Sequence, residues 1–415
     1  MSIFSSLYIG MTGLRVNEAG LAVVGDNIAN MNTVGFKASR AAFSDVLNQT
    51  IIGSAGFSEQ GQGSAVQAIQ RLHTQGALLQ TGVSTDLAIG GNGFFVVRGE
   101  AQGGEGQFYT RNGQFRIDSE GFLTTLGGLR VQGYPALASG ALDTSLGDLQ
   151  VGLQKSPPIA TTLASLRLNL DPNTDTVTDS AGPHYAASFT VFDSLGNAHD
   201  VDLEFTHQDD GSWTYDATVD GAEVSGGTPG DPPQNIGSGT LVFDTSGQLD
   251  EGASSITDFD VNFEGADPQT IAMDFAGSTG VNQPSSIEFV DQNGQAPGDL
   301  AFVTVEPDGT ISGSFSNGDT LALGQLALAL FQATDRLDAI GGNLYRQGSG
   351  TDEPAIGVAN AGGRGEIFSG ALEQSNVDLT NEFTQMITTQ RGFQASSRTV
   401  STANTLLGEL VNLGR

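Results

Sequence analysis

Cysteine is absent from the 415 residues, which removes disulfide bonds, thiol catalysis and thiolate metal sites at once. Basic side chains are scarce: 16 Lys and Arg stand against 47 Asp and Glu, for a net charge of −31. Between Arg167 and Arg336 there is no Lys or Arg at all, against 28 Asp and Glu. A surface of that sign repels phosphate backbones and argues against nucleic acid as a partner. It reads as a highly soluble exposed face, and a salty habitat or loose binding of divalent cations by carboxylates fits the same charge. No run of about 18 apolar residues occurs, so no membrane insertion is expected. The N-terminus also lacks a basic stretch followed by an apolar block and a small-residue cleavage site, so no cleaved secretory signal is expected.

Histidine is rare as well, with only His73, His184, His199 and His207. On the expected strand from His199 to His207 both ends share a face with Val201, Leu203 and Phe205, but eight residues at ~3.3 Å each hold them about 26 Å apart. They cannot bind one ion. Asp200, Asp202 and Glu204 fall on the opposite face, where a solvated strand explains them better than paired acid and base. Asp171, Asp175 and Asp179 lack the Gly turn and terminal Glu of a calcium loop and read as a linker. Gly90-Gly91-Asn92-Gly93 is followed by no Lys-Ser/Thr, so a hairpin turn is expected there rather than a phosphate cradle. No Gly-x-Ser-x-Gly elbow leads into a helix with a His partner. No enzyme, no metal and no cofactor is expected.

What is present lies at the two ends. Leu7, Leu14, Leu21 and Ile28, and then Leu379, Met386, Phe393, Val400 and Leu407, each place one apolar residue at every seventh position. That period puts each column on one side of a helix as a narrow seam, the pattern of a helix whose partner is another helix. Burying so narrow a seam recovers less than ordering the backbone of about 30 residues costs. Gly10, Gly13, Gly20 and Gly25, then Gly392 and the Ser/Thr/Asn-rich run Ser396 to Thr405, weaken the helices further. Isolated, the ends should be largely disordered. The pattern leaves two coverings equally open, neighbouring copies of the chain or an intramolecular helix pair, and the weakness of the helices points to ordering on assembly.

Between the ends the chain reads as strands. Asn30, Asn32 and Gly35 form a stop signal near Asn30. Gly93–Val97 and Phe108–Ile117 read as strands with turns at Arg111–Gly113 and Asp118–Gly121. Trp213, Tyr215, Ala217 and Val219 alternate with Thr214, Asp216 and Thr218 as a half-buried strand does, and further strands are expected at 188–192, 201–205, 240–243, 271–275, 287–290 and 301–305. The expectation is a mainly β, multidomain chain of nested all-β domains, with N- and C-terminal α-helices pairing as a coiled-coil-like inner domain. Residues 1–32 with 372–415 form the helical domain, 33–72 with 360–371 an extended connector, 73–144 with 286–359 an inner β domain, and 145–285 an inserted outer β domain.

Gly25-Asp26-Asn27-Ile28-Ala29-Asn30-Met31-Asn32-Thr33-Val34-Gly35-Phe36-Lys37 resembles the N-terminal signature of the bacterial flagellar rod and hook axial protein family. Ser375-Asn376-Val377-Asp378-Leu379-Thr380, then Glu382-Phe383, Met386-Ile387 and Gln390-Arg391-Gly392-Phe393-Gln394-Ala395, resembles its C-terminal counterpart. Thr85-Asp86-Leu87-Ala88-Ile89, Gly93-Phe94-Phe95 and Tyr109-Thr110-Arg111-Asn112-Gly113 look like that family's inner domain. Val191-Phe192-Asp193-Ser194-Leu195-Gly196-Asn197 and Phe315-Ser316-Asn317-Gly318 with Leu323-Gly324-Gln325 resemble its hook members more than its distal rod members.

The resemblance implies a structural subunit that leaves the cell unfolded through the flagellar type III export apparatus. It would polymerise with itself into a short, flexible, curved tube outside the cell, a universal joint carrying torque from rod to filament. It implies the rod, hook cap and hook–filament junction proteins as partners. Asn27, Asn30, Asn32, Gly35, Phe36, Asn376, Asp378, Gln390 and Arg391 are the motif positions it marks, and the nine seam residues would be where copies meet. Phe43-Ser44-Asp45-Val46-Leu47 resembles a short export-gate recognition pattern, with Phe43 and Leu47 as its apolar positions. Some relatives cross-link neighbours through a Cys, a chemistry this chain does not have. A distal rod protein is the nearest alternative, and an extracellular adhesin or carbohydrate-active protein a more distant one.

Overall fold

The computed structural model of the chain describes residues 3–413 other than 47–48, 54–55, 102–103, 138–139, 153, 179–181 and 349. It divides into two compact units, the first comprising Met1–Leu153, Phe302–Gly313 and Thr320–Arg415, the second Gln154–Ala301 and Ser314–Asp319. The fold is mainly β and nested, with the terminal helices packed on each other, as expected from sequence. The inserted unit begins later and ends later than 145–285. Gly147–Asp148 pairs with Gln132 and Gly133 of the first unit, whereas Ser286–Gln292 pairs antiparallel with Leu163–Asn169 in a sheet of the second.

In the first unit the long strand Thr320–Leu330 pairs antiparallel with Arg130–Pro135, Phe94–Ala101 and Ala355–Val358. Phe94–Ala101 in turn pairs with Gly104–Thr110, and that with Leu344–Arg346. Phe94, Val96, Tyr109, Ala329, Phe331 and Tyr345 close a core beneath this sheet, with ring edges meeting ring faces at 4.8–5.8 Å between centroids. Gly90-Gly91-Asn92-Gly93 is not the expected hairpin turn. Leu87–Gly90 pairs with Glu366–Ser369 instead, so these residues form a corner at which Gly91 (φ 108°) and Gly93 (φ 132°) turn the chain from one sheet into another.

Residues 33–72 and 360–371 are paired structure rather than connector. Ser39–Asp45 runs antiparallel to Ser64–Arg71 as a hairpin, and Ala371–Glu373 pairs with Leu78–Gln80. The hairpin lies along the first helix, α1 (Ile3–Ala29). Helix α1 stops where the Asn/Gly signal placed it: Asn30 N–H donates to Asp26 O at 3.1 Å, and Gly35 adopts φ +70°. The second helix, α2 (Leu379–Leu413), starts at Asp378, whose carboxylate accepts from Thr380 N–H (2.9 Å) and Asn381 N–H (3.3 Å) and satisfies donors that helix N-termini leave free.

The second unit is a sandwich of two four-stranded sheets, Phe259–Val261, Gln269–Asp274, Leu163–Asn169 and Ser286–Gln292 in one, Tyr185–Phe192, Ala198–His207, Trp213–Val219 and Gln234–Leu241 in the other. Alternation decides what each face shows. Val201, Leu203 and Phe205 join Trp213, Tyr215, Leu166, Leu168, Phe259 and Ile271 in one buried cluster, while Asp200, Asp202 and Glu204 stay exposed, as expected of a half-buried strand.

Candidate functional site

The site is the helix pair and the junction at its base. α1 and α2 run antiparallel, and small residues rather than the heptad apolar columns make their closest approach. A Cβ at Gly10 would stand 2.7 Å from Val400 Cγ2, one at Gly13 2.7 Å from Ser396 Oγ, and one at Gly392 2.6 Å from Asn17 Oδ1. At Gly20 it would meet Thr389 Cγ2 at 3.2 Å, with Phe43 Cζ of the hairpin behind it at 3.6 Å. Three of the four α1 glycines that weaken the helix in isolation therefore let its backbone approach a neighbour; only Gly25 has open space around it. The Ser/Thr run is accommodated likewise: Thr399, Thr402 and Thr405 turn their hydroxyls onto the carbonyls of Ala395, Arg398 and Ser401.

Of the expected seam, Leu7, Leu14, Leu21, Ile28, Leu379, Met386, Val400 and Leu407 are half-buried, and Phe393 is exposed. Among the described residues, Val16, Val23, Val24 and Ala403 are the apolar side chains of the helices that are buried. A second set stays uncovered. Phe4, Tyr8 and Met11 recur at i, i+4 and i+7 on α1, Phe383 with Ile387 and Leu406 with Leu410 at i and i+4 on α2, with exposures from 39 % at Met11 to 69 % at Phe4. Apolar stripes of this kind on a helix belong against another surface.

At the base of the pair, side chains distant in sequence are locked together. Asn27, 1 % exposed, accepts from Ser39 N–H (2.8 Å) and donates to Ser39 O (2.8 Å) and to Glu382 Oε1 of α2 (3.0 Å). Asn376 accepts from Ala38 N–H (2.7 Å) and donates to Leu72 O (2.8 Å) and to Thr74 O and Oγ1 (3.1 and 2.8 Å). Gly35 N–H donates to Glu373 O at 2.8 Å, and a Cβ there would strike Asn112 N at 2.7 Å. Phe36 is buried beside it in sequence.

Beneath these amides lies a buried ionic node. Glu373 accepts from Lys37 Nζ at 2.6 Å and Gly76 N–H at 2.9 Å through Oε1, and from Arg111 Nη1 at 3.3 Å through Oε2; Lys37 and Glu373 are both fully buried. Lys37 also donates to Thr74 O (2.7 Å), and Arg111 Nη2 to Gly91 O (2.8 Å). Burial pulls the Lys37 ammonium and the Arg111 guanidinium down from their ordinary values, with Glu373 opposing both. His73 packs edge-on against Phe94 and Tyr345. Burial, then Lys37, Arg71 and Arg111, lower it to about 4. Burial also raises the Glu382 carboxyl, against the hydrogen bond from Asn27.

The other motif positions do less. Asn30 bonds within its own helix end to Asp26, and Asn32, Gln390 and Arg391 are exposed. Lys37, Arg111, Glu373, Glu382 and Asn343, which donates to Val34 O at 2.8 Å, complete the junction without having been singled out as site residues. Lys37, Arg111 and Glu382 lie inside the family motifs, but nothing local marks Glu373. Phe43 packs toward Gly20 and is 45 % exposed; Leu47 and Asp179 lie outside the described residues. His199 is held between Glu223 (2.7 Å) and Asp193 (3.3 Å) and His207 is stacked on Trp213 at 4.7 Å. Among the described residues no group of three His, Asp or Glu is arranged for a metal.

Residues 7–37 match the family model described as flagella basal body rod protein, 88–178 the flagellar hook protein FlgE/F/G D1 domain, 162–295 the flagellar basal body protein FlaE D2 domain, and 369–413 the flagellar basal body rod FlgEFG protein C-terminal. The chain is similar to the flagellar hook protein FlgE of Escherichia coli, 34 % identical over 419 residues that cover 97 % of this chain and 98 % of that protein. It is likewise similar to the flagellar hook protein FlgE of Salmonella typhimurium (34 % over 425 residues, 97 % and 98 %) and of Treponema pallidum (31 % over 472 residues, 99 % of each). A crystal structure of Helicobacter pylori flagellar hook protein FlgE2 aligns with 71 % of this chain and all of its own at 16 % identity, with a TM-score of 0.46.

Proposed function

This chain belongs to the flagellar hook protein FlgE family, and we propose that it acts there as a universal joint, a flexible curved tube whose inner wall is built by its terminal helices. It is a structural protein of the flagellum, outside the cell. The observation that carries the finer reading is the set of large apolar side chains that the helix pair leaves in solvent, Phe4, Tyr8, Met11, Phe383, Ile387, Phe393, Leu406 and Leu410. Neighbouring copies cover them, joined head to tail by contacts that do not close into a ring and so extend as an open helix. The half-buried columns at Leu7, Leu14, Leu21 and Ile28 and at Leu379, Met386, Val400 and Leu407 rim the same contacts.

The junction of Asn27, Asn376, Lys37, Arg111 and Glu373 fixes the helices to the first β unit, so that torque taken up by one is delivered to the other. The acidic inserted unit faces outward. Its contacts between copies are polar and modest in area, which lets protofilaments lengthen and shorten as the tube turns while bent. The rod, hook cap and hook–filament junction proteins are its partners at the ends of the tube. The subunit travels out of the cell through the type III export apparatus.

Replacing Leu14 or Phe393 by Asp tests the reading. Polymerisation should be abolished while both β units stay folded, followed by electron microscopy and by circular dichroism. Tubes of normal form from either variant would refute helical self-contact.

A further inference from the structure

The buried charges around Glu373 do not balance. Lys37 and Arg111 bring two positive charges against one carboxylate, with side chains 0, 5 and 0 % exposed. One positive charge is left over in a place where burial makes it costly. The more exposed Arg71 and Asp335 act on His73 with opposite signs, which leaves that excess unchanged. The surplus borders a cavity of about 240 Å³ inside the first unit, whose walls include His73, Asn92, Phe94, Arg111, Phe331 and Thr334. Among the described residues none that lines it is acidic. In a chain with 47 Asp and Glu against 16 Lys and Arg, a cavity bordered by a guanidinium and no carboxylate runs against the composition.

Two nitrogens on its walls have no partner. Arg111 commits Nη1 to Glu373 (3.3 Å) and Nη2 to Gly91 O (2.8 Å), while its buried Nε–H reaches no acceptor among the described residues. His73 Nδ1 is likewise buried and unpartnered; it donates in one neutral tautomer and in the protonated ring. Buried polar groups left without a partner are uncommon in folded proteins and call for a water or an ion. Charge decides between the two. A water would satisfy the N–H groups and leave the extra positive charge uncompensated, whereas a monovalent anion answers both. A phosphate would overshoot the charge and outnumber the two donors. Phe94, whose ring centroid lies 5.3 Å from Arg111 Cζ, and Phe331 make the remaining wall apolar, which favours an ion that gives up its hydration readily.

We propose that this cavity binds a single monovalent anion of the halide class, chloride in a saline medium, held by Arg111 Nε–H and His73 Nδ1–H. The anion neutralises the cluster in which Lys37, Arg111 and Glu373 meet, so the junction between the terminal helices and the first β unit tightens as chloride rises. This goes beyond the polymer reading and does not depend on it, because every group involved belongs to one subunit.

Hydrogen exchange of the full-length chain, with chloride replacing gluconate at fixed ionic strength, tests it. Peptides covering residues 35–37 and Ala371–Glu373 should exchange severalfold more slowly in chloride, up to a plateau, while those from Trp213–Val219 of the second unit should not change. His73→Phe keeps an aromatic ring against Phe94 and Tyr345 and removes the donor. It should raise the chloride concentration for half the effect by about tenfold, the usual weight of one hydrogen bond to a charged partner. Bromide-soaked crystals give a second reading that needs no variant: an anomalous peak should lie within hydrogen-bonding reach of Arg111 Nε and His73 Nδ1. No slowing, as for a cavity that holds water, would overturn the inference, and so would equal slowing in both units, which is a general salt effect. A full response in His73→Phe, or bromide peaks elsewhere and none in the cavity, would overturn it as well.

Discussion

Replacing Glu373 by Gln should cost the first unit about 3–5 kcal/mol, the range for breaking a buried ion pair by removing one partner. The structure explains the size. The node holds two cations, Lys37 and Arg111, and one carboxylate, with side-chain exposures of 0, 5 and 0 %. Gln keeps an oxygen for Gly76 N–H but leaves both cations without a counter-charge, and buried charge is expensive when unpaired. Lys37→Met together with Glu373→Gln returns the node to its native net charge and removes the ammonium that must be desolvated. The double variant should therefore be clearly more stable than Glu373→Gln alone, a coupling a double-mutant cycle reads directly. The assay separates the units because Trp213 is the single tryptophan and sits in the core of the second. Urea unfolding followed by far-ultraviolet dichroism at the helices should shift to lower denaturant, while the Trp213 fluorescence transition stays where it is. A shift below about 1 kcal/mol, or a double variant no better than the single, would refute the ionic node as the fastening of the helices.

Three further outcomes follow from particular positions. Gly25→Ala should stabilise α1 by about 0.5–1 kcal/mol from helix propensity alone, because nothing lies within 4 Å of the new methyl; Gly10→Ala, the same change in the same helix, should cost about 1–3 kcal/mol by overpacking on Val400, and equal effects in thermal melts would contradict the close approach of α1 and α2. His73 titrates at 6.5 ordinarily and at about 4 in the fold. The unfolded chain therefore binds the proton first, and stability is lost as pH falls through that window, by at most about 1.4 kcal/mol per unit. His73→Gln should flatten that slope in urea titrations between pH 6.5 and 4, and an unchanged slope would assign it elsewhere. Glu382 has its carboxyl raised by burial, so its ionisation opposes folding as pH rises through the ordinary carboxyl range. Glu382→Gln should thus melt higher than the native chain at pH 7, and a lower melting point would show that Asn27 needs a charged acceptor.

The architecture was legible because strand alternation and turn residues are local signals: Trp213–Val219 appears as a strand with its expected in-and-out pattern. The seam was legible as a period and misleading as a set of contacts. Seven-residue spacing marks Leu14 and Phe393, yet the backbones approach at Gly10, Gly13 and Gly392, where the missing side chain is the feature that matters. Glycine read by propensity alone looks like weakness; its use in packing depends on which residue of the other helix stands opposite, and that is set by tertiary register. The hairpin expected at Gly90–Gly93 failed for a related reason, since the partner of Leu87–Gly90 lies nearly 280 residues further along at Glu366–Ser369. Glu373 was invisible for the same cause. A single Glu in an apolar strand carries no mark of the Lys37 and Arg111 it will neutralise, while Asn27 and Asn376 entered only through the family signature, and their hydrogen bonds give that signature its physical reason.

The most direct test of the whole account is a high-resolution electron-microscopy reconstruction of tubes assembled from the purified full-length chain. Phe4, Tyr8, Phe383, Ile387 and Leu410 should each be covered by the terminal helices of neighbouring copies. Tubes in which those side chains face solvent, or a chain that stays monomeric under conditions where its β units are folded, would contradict it.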